Sequence, residues 1–83
     1  MSETQIETAA VLDARGLLCP MPIVKTAKKM KELEPGQVLK LIATDRGSLA
    51  DVPAWANSTG NELLERYEEG DAFVFFLRKG EEV

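Results

Sequence analysis

Residues 22–43 read P-I-V-K-T-A-K-K-M-K-E-L-E-P-G-Q-V-L-K-L-I-A, and the period of the pattern changes half-way through. Placed at about 100° per residue, Ile23, Val24, Ala27 and Met30 share one face and Lys25, Lys28, Lys29 and Glu32 the other, which predicts a helix over residues 22–34. Pro35-Gly36 stops that helix. Val38–Ala43, rich in β-formers, predicts a strand. A helix running straight into a strand is the second half of a β-α-β unit, and its first half stands upstream. Residues 9–14, A-A-V-L-D-A, predict a short strand that ends at an Arg15-Gly16 turn.

Downstream, residues 44–48 (T-D-R-G-S) form a loop before a second helix, which runs to about Thr59 with Gly60 as its stop. The start of that helix has two readings. Ser48 with Asp51 resembles a capping box, but it leaves Pro53 where its missing N–H begins to cost. Asp51 as the N-cap, with Pro53 in the first turn, is the less strained choice. Residues 61–67 and Ala72–Arg78 predict two strands joined as a hairpin at Glu68-Glu69-Gly70-Asp71. The continuously apolar A-F-V-F-F-L places the last strand in the middle of the sheet.

The order β-α-β-α-β-β implies a parallel pair with a right-handed crossover, plus an antiparallel hairpin. Two helices cannot cover both faces of four strands. The expected architecture is an α/β two-layer sandwich: a four-stranded mixed sheet with both helices on one face and the other face open. Eighty-three residues make one small domain. Its expected span is residues 9–80, between a flexible N-terminal tail at 1–8 and a C-terminal tail at 81–83.

Composition narrows the chemistry. The chain has no His and a single Cys, so neither a Cys-His nucleophile pair nor a structural zinc site can be assembled within it. No metal site is expected. The N-terminus carries no secretory pattern and no apolar run is long enough to span a membrane, so the expected location is the cytoplasm, without membrane attachment. Residues 1–60 hold seven Lys/Arg and seven Asp/Glu, and residues 61–83 hold three and seven, so the whole net charge of −4 lies in the last part of the chain. That distribution argues against direct nucleic-acid binding.

The one thiol, Cys19, stands in G-L-L-C-P-M-P, just before the first helix. After Leu17-Leu18 it fits a small buried core residue. It also fits a reactive site, since the prolines allow two helix frames that each put sulfur near the positive helix end. Either Cys19 is the N-cap with Pro20 first and Pro22 third, or Met21 caps and Pro22 comes first. Parallel crossovers bring the loop with Arg15, Gly16 and Cys19 beside the loop with Asp45 and Arg46. Helix terminus and cations favour a thiolate, while the prolines remove N–H donors; together they predict modest activation and a stiff, projecting thiol. Of the lysines, Lys25, Lys28 and Lys29 suit docking of an acidic partner, against the plainer reading of a solvated helix face. Trp55 reads as packing and Asp51 as a helix cap.

The run L-D-A-R-G-L-L-C-P-M-P-I-V-K resembles the signature of the TusA/SirA-like sulfur-carrier family, whose hallmark is a Cys-Pro-x-Pro motif opening the first helix. T-D-R-G-S, D-V-P-A-W and T-G-N-E-L-L follow that family's pattern in the same order, over about residues 10–79. The resemblance implies a fold similar to the C-terminal domain of translation initiation factor three. It also implies that Cys19 receives sulfane sulfur as a covalent persulfide, without other cofactor. The donor would be a cysteine desulfurase or rhodanese-like protein, and a downstream acceptor protein would lead to tRNA thiolation, molybdenum-cofactor synthesis or sulfur oxidation. Such a protein is a monomeric sulfurtransferase-type carrier working with partner enzymes rather than a stand-alone enzyme. Exchange at a sulfur–sulfur bond needs no general base, so the missing His is no handicap. Arg46 stands where the family often has proline. Two other classes compete: a nucleic-acid-binding or regulatory module, and a thiol redox sensor working through sulfenic acid or mixed disulfides.

Overall fold

The computed structural model describes residues 7–80. Six elements follow in the expected order: β1 (Ala10–Ala14), α1 (Met21–Met30), β2 (Val38–Ala43), α2 (Ser48–Thr59), β3 (Glu62–Glu69) and β4 (Ala72–Arg78). They build one mixed sheet in the order β1-β2-β4-β3, with β1 and β2 parallel and both β4 pairings antiparallel. Both tails expected from the sequence fall mainly outside the described residues, which leave out 1–6 and 81–83.

Period-2 alternation decides which face is buried. The register sets Ala10, Leu39, Leu77 and Leu63 in one row across the sheet, Leu12, Leu41 and Phe75 in the next, and Ala14, Ala43 and Phe73 in a third. Met30 of α1 and Val52 and Ala56 of α2 close the core over these rows, so both helices lie on one face. Phe75 is fully buried on the central strand β4, and burial of a side chain that size stabilises by about 2–3 kcal/mol. The opposite face is open: Val11 is largely exposed, Lys40 Nζ stands 5.9 Å from the Phe76 ring centre, and Tyr67 lies 6.2 Å from the same ring. Between Leu63 and Glu65 the β3–β4 register slips by one residue at a bulge.

Several boundaries differ from expectation, each for a local reason. β1 begins at Ala10 and β3 extends to Glu69, so Gly70 and Asp71 alone turn the hairpin. Helix α1 ends at Met30, short of the expected residue 34, after which Glu32 and Leu33 N–H bond to carbonyls three residues back, a tightening common at helix ends. Val24 is exposed, and the buried positions of α1 are Pro22, Thr26 and Met30. A Thr can occupy that face because its Oγ1 donates to the Pro22 carbonyl at 2.7 Å. Helix α2 begins at Ser48 with Gly47 as N-cap, so Asp51 is not the cap and Pro53 lies inside the helix.

Candidate functional site

The site forms where the loop after β1 meets the loop after β2, at the edge of the sheet where parallel crossovers converge. Gly16 N–H donates to Thr44 Oγ1 at 2.9 Å and pins the two loops together. Beyond that tie the chain reaches Cys19, whose thiol is free and exposed, so the buried-core reading does not hold. The Cys19–Pro20 peptide is cis. Neither expected helix frame holds: Pro20 is the N-cap of α1, Met21 the first helical residue and Pro22 the second.

That frame settles what the helix terminus offers the sulfur. Pro20 and Pro22 have no N–H. Met21 N–H is bonded to the Leu18 carbonyl, and those of Ile23 and Val24 both reach the Pro20 carbonyl. Every amide from residue 20 to residue 24 is therefore missing or occupied, and none is left to hold a thiolate. The Cys19 Sγ–H instead donates to Asp51 Oδ2 at 2.7 Å.

The expected activation is overturned by this contact. The hydrogen bond to Asp51 raises the Cys19 pKa above its ordinary value, partial desolvation adds to it, and the negative charges of Asp51 and Asp45 act in the same direction. The cations expected to oppose this do not. Arg15 Nε and one terminal nitrogen donate to the two carboxylate oxygens of Asp13 at 2.9 and 2.8 Å, and the Arg15 amide adds a third bond at 3.1 Å. Arg46 is exposed, and among the described residues its side chain makes no hydrogen bond or ion pair.

Asp45 is a neighbour of Cys19, as the topology requires. The two meet around Gly47, where an added Cβ would stand 2.9 Å from Asp45 Oδ2, 3.7 Å from Cys19 Cβ and 3.8 Å from Asp51 Oδ2. The missing side chain makes room for the Asp45 carboxylate, while Cys19 and Asp51 stand at ordinary contact distance. Asp51 is the residue that sequence reasoning missed as part of the site. Its signal was a carboxylate in the first turn of the helix that follows the Asp45 loop, at the same edge as Cys19.

Lys25, Lys28 and Lys29 line one open groove on α1 with Leu12 and Glu32, at different distances from the thiol. Lys25 lies one turn into α1, but Lys28 and Lys29 belong to its last turn, about 10 Å further along the axis than the thiol end. Lys29 pairs with Glu32 at 3.3 Å, while Lys25 and Lys28 are exposed and without an ion pair among the described residues. Near Cys19 in the chain, and on the first turn of α1, apolar side chains are exposed: Leu18, Met21 and Val24 at 71%, 40% and 48%. Trp55 packs against the core and lines a cavity of about 210 Å³ between the helices with Ala27, Met30 and Thr59, and Cys19 is not among its lining residues. Among the described residues no group of three or more His, Cys, Asp or Glu could hold a metal ion, and no helix is long and apolar enough to cross a membrane.

A fold with an exposed thiol at this edge can be compared with known proteins. The family model described as Sulfurtransferase TusA matches residues 10–79. The chain belongs to the TusA family. It is 57% identical over 93% of its length to the candidate sulfur carrier protein YrkF of Bacillus subtilis, and spans only 42% of that longer relative. It is 52% identical over 82% of its length to the sulfur carrier protein TusA of Allochromatium vinosum, covering 90% of that protein. The crystal structure of a SirA-like protein from Desulfitobacterium hafniense superimposes with a TM-score of 0.75 at 24% identity, covering 87% of this chain and 99% of that one, a likeness of fold.

Proposed function

We propose that this TusA-family protein is a sulfur carrier that accepts sulfane sulfur on Cys19 as a persulfide and relays it to an acceptor protein. The observation that carries this reading is a free, exposed thiol just before α1, with exposed apolar side chains at Leu18, Met21 and Val24 in the same stretch of chain. Exposed apolar side chains in the segment that carries a reactive atom suit contact with another protein's surface. The relatives named as sulfur carriers support the same reading. Attack by the thiolate on the outer sulfur of a donor persulfide forms one sulfur–sulfur bond and breaks another, so no second cysteine and no base is needed in this chain.

The donor is a cysteine desulfurase or rhodanese-like protein, and the acceptor feeds tRNA thiolation, molybdenum-cofactor synthesis or sulfur oxidation. Lys25 and Lys28, exposed and unpaired, serve as a docking face for an acidic partner. The working location is the cytoplasm and the carrier is monomeric between encounters.

Incubation with glutathione persulfide, followed by intact mass and peptide mapping, tests the central step. The expected product is a gain of about 32 Da, one sulfur atom, on Cys19, absent in Cys19→Ser. A gain of only about 16 Da, or a glutathione adduct alone, would overturn the carrier reading in favour of a redox sensor.

A further inference from the structure

Among the described residues the Cys19 thiol has one hydrogen-bond partner, and it is a carboxylate. Asp51 Oδ2 takes the thiol hydrogen bond at 2.7 Å, and Asp51 forms no ion pair among the described residues. Asp45 lies on the same side of Gly47 as Cys19 and Asp51, with its Oδ2 buried and without a hydrogen-bond partner. Asp51 on α2 and Asp45 on the loop after β2 are the charged groups that act on the thiol, while the cations carried by the neighbouring elements, Arg46 on the same loop, Arg15 on the loop after β1 and Lys25 on α1, are exposed. Arg15 is held by Asp13, while Arg46 and Lys25 point to solvent unpaired. Two carboxylates therefore dominate the field at the sulfur, and the helix terminus has no open N–H to counter them.

We propose that Asp51 is a latch on the thiol: its carboxylate keeps the unloaded Cys19 protonated and so sets the pH at which the carrier accepts sulfur. The proposal rests on the reading of Cys19 as the sulfur acceptor. In loading, the Cys19 proton passes to a base in solvent and the thiolate attacks the outer sulfur of the donor persulfide. The Sγ–S bond forms, the donor's own S–S bond breaks, and the donor thiolate leaves and takes up a proton. One thiol and one persulfide exchange a sulfur atom with no net oxidation. A latched thiol is correspondingly slow toward alkylating agents and oxidants, which react with the thiolate.

The test is the rate of Cys19 alkylation by iodoacetamide against pH, read by intact mass, for the wild type, Asp51→Asn and Asp51→Ser. Glu65→Gln, on the open face of the sheet, serves as control. Both Asp51 variants remove the charge, so the profile should move about one pH unit lower, with roughly tenfold faster alkylation at neutral pH. Loading from glutathione persulfide should quicken in parallel, and Glu65→Gln should match the wild type. If Asp51→Asn or, should that variant not fold, Asp51→Ser shows the wild-type profile, the latch is overturned. It is equally overturned if the variants alkylate faster but load more slowly, since Asp51 would then be a required proton acceptor. A shifted alkylation profile with no sulfur gained by any variant supports the latch and removes the carrier reading instead.

Discussion

Asp13 and Arg15 lock each other at the end of β1, and their pairing decides which charges reach the thiol. The paired hydrogen bonds from Arg15 bring the Asp13 carboxyl down to about 2 from an ordinary 3.8. A carboxyl with a folded pKa below its unfolded one stabilises the fold fully above the unfolded value, and that contribution disappears as pH falls through the folded value. For Asp13 the window runs from 3.8 down to about 2. Both side chains are exposed, so the pair orders the loop more than it stabilises the domain. In Arg15→Ala, the Asp13 carboxyl followed by NMR should titrate near its ordinary 3.8. The same variant should leave Cys19 alkylation unchanged, because Arg15 already serves Asp13; a shift in the Cys19 profile would show that Arg15 acts on the sulfur after all. Cys19 itself was legible from its motif, and Asp45 from the crossover topology. Asp51 was not, because its contact with a residue 32 positions away depends on how α2 is rotated. That rotation follows from a helix that starts at Ser48 and carries Pro53 inside it, which the local cost of a proline argued against.

Strand positions were read more accurately than helix ends. β2 and β4 lie where alternation and β-formers put them, and the apolar run of β4 is central, as continuous burial demands. Helix termini depend on single hydrogen bonds and on packing, which periodicity does not report; α1 accordingly buries Thr26 and exposes Val24. The hairpin between β3 and β4 shows how far a turn residue can be read. Gly70 sits at φ +65°, and an added Cβ there would meet nothing within 4 Å. Strain at that position is therefore purely conformational. Gly70→Ala should destabilise the domain by about 1–2 kcal/mol in urea denaturation, and Gly70→Asn by less, since Asn tolerates the left-handed region. Equal losses for the two variants would mean that something other than backbone conformation limits the turn.

Across the whole molecule, charge is segregated along the chain and the fold turns that into geography. The excess of Asp and Glu falls in residues 61–83, largely on β3 and the hairpin, while Lys25 and Lys28 stand exposed on α1, the helix that begins next to Cys19. A partner approaching the thiol meets the exposed Leu18, Met21 and Val24 with free cations on α1, while the hairpin turn at Gly70-Asp71 projects from the same sheet edge as the loops after β1 and β2, close enough for Asp71 to act on Arg15. Charges so placed steer encounter and act mainly on the association rate. Reversing both lysines in Lys25→Glu/Lys28→Glu changes the charge by −4, taking the chain from −4 to −8. Sulfur transfer from an acidic donor protein should then slow several-fold at low salt. The difference should shrink as ionic strength reaches about 1 M, where screening acts within roughly 3 Å. Loading from glutathione persulfide should change far less, because a small donor needs no docking face. A double variant that matches the wild type at low salt would exclude the lysine face from docking and leave the exposed apolar residues Leu18, Met21 and Val24 as the surface that partners recognise.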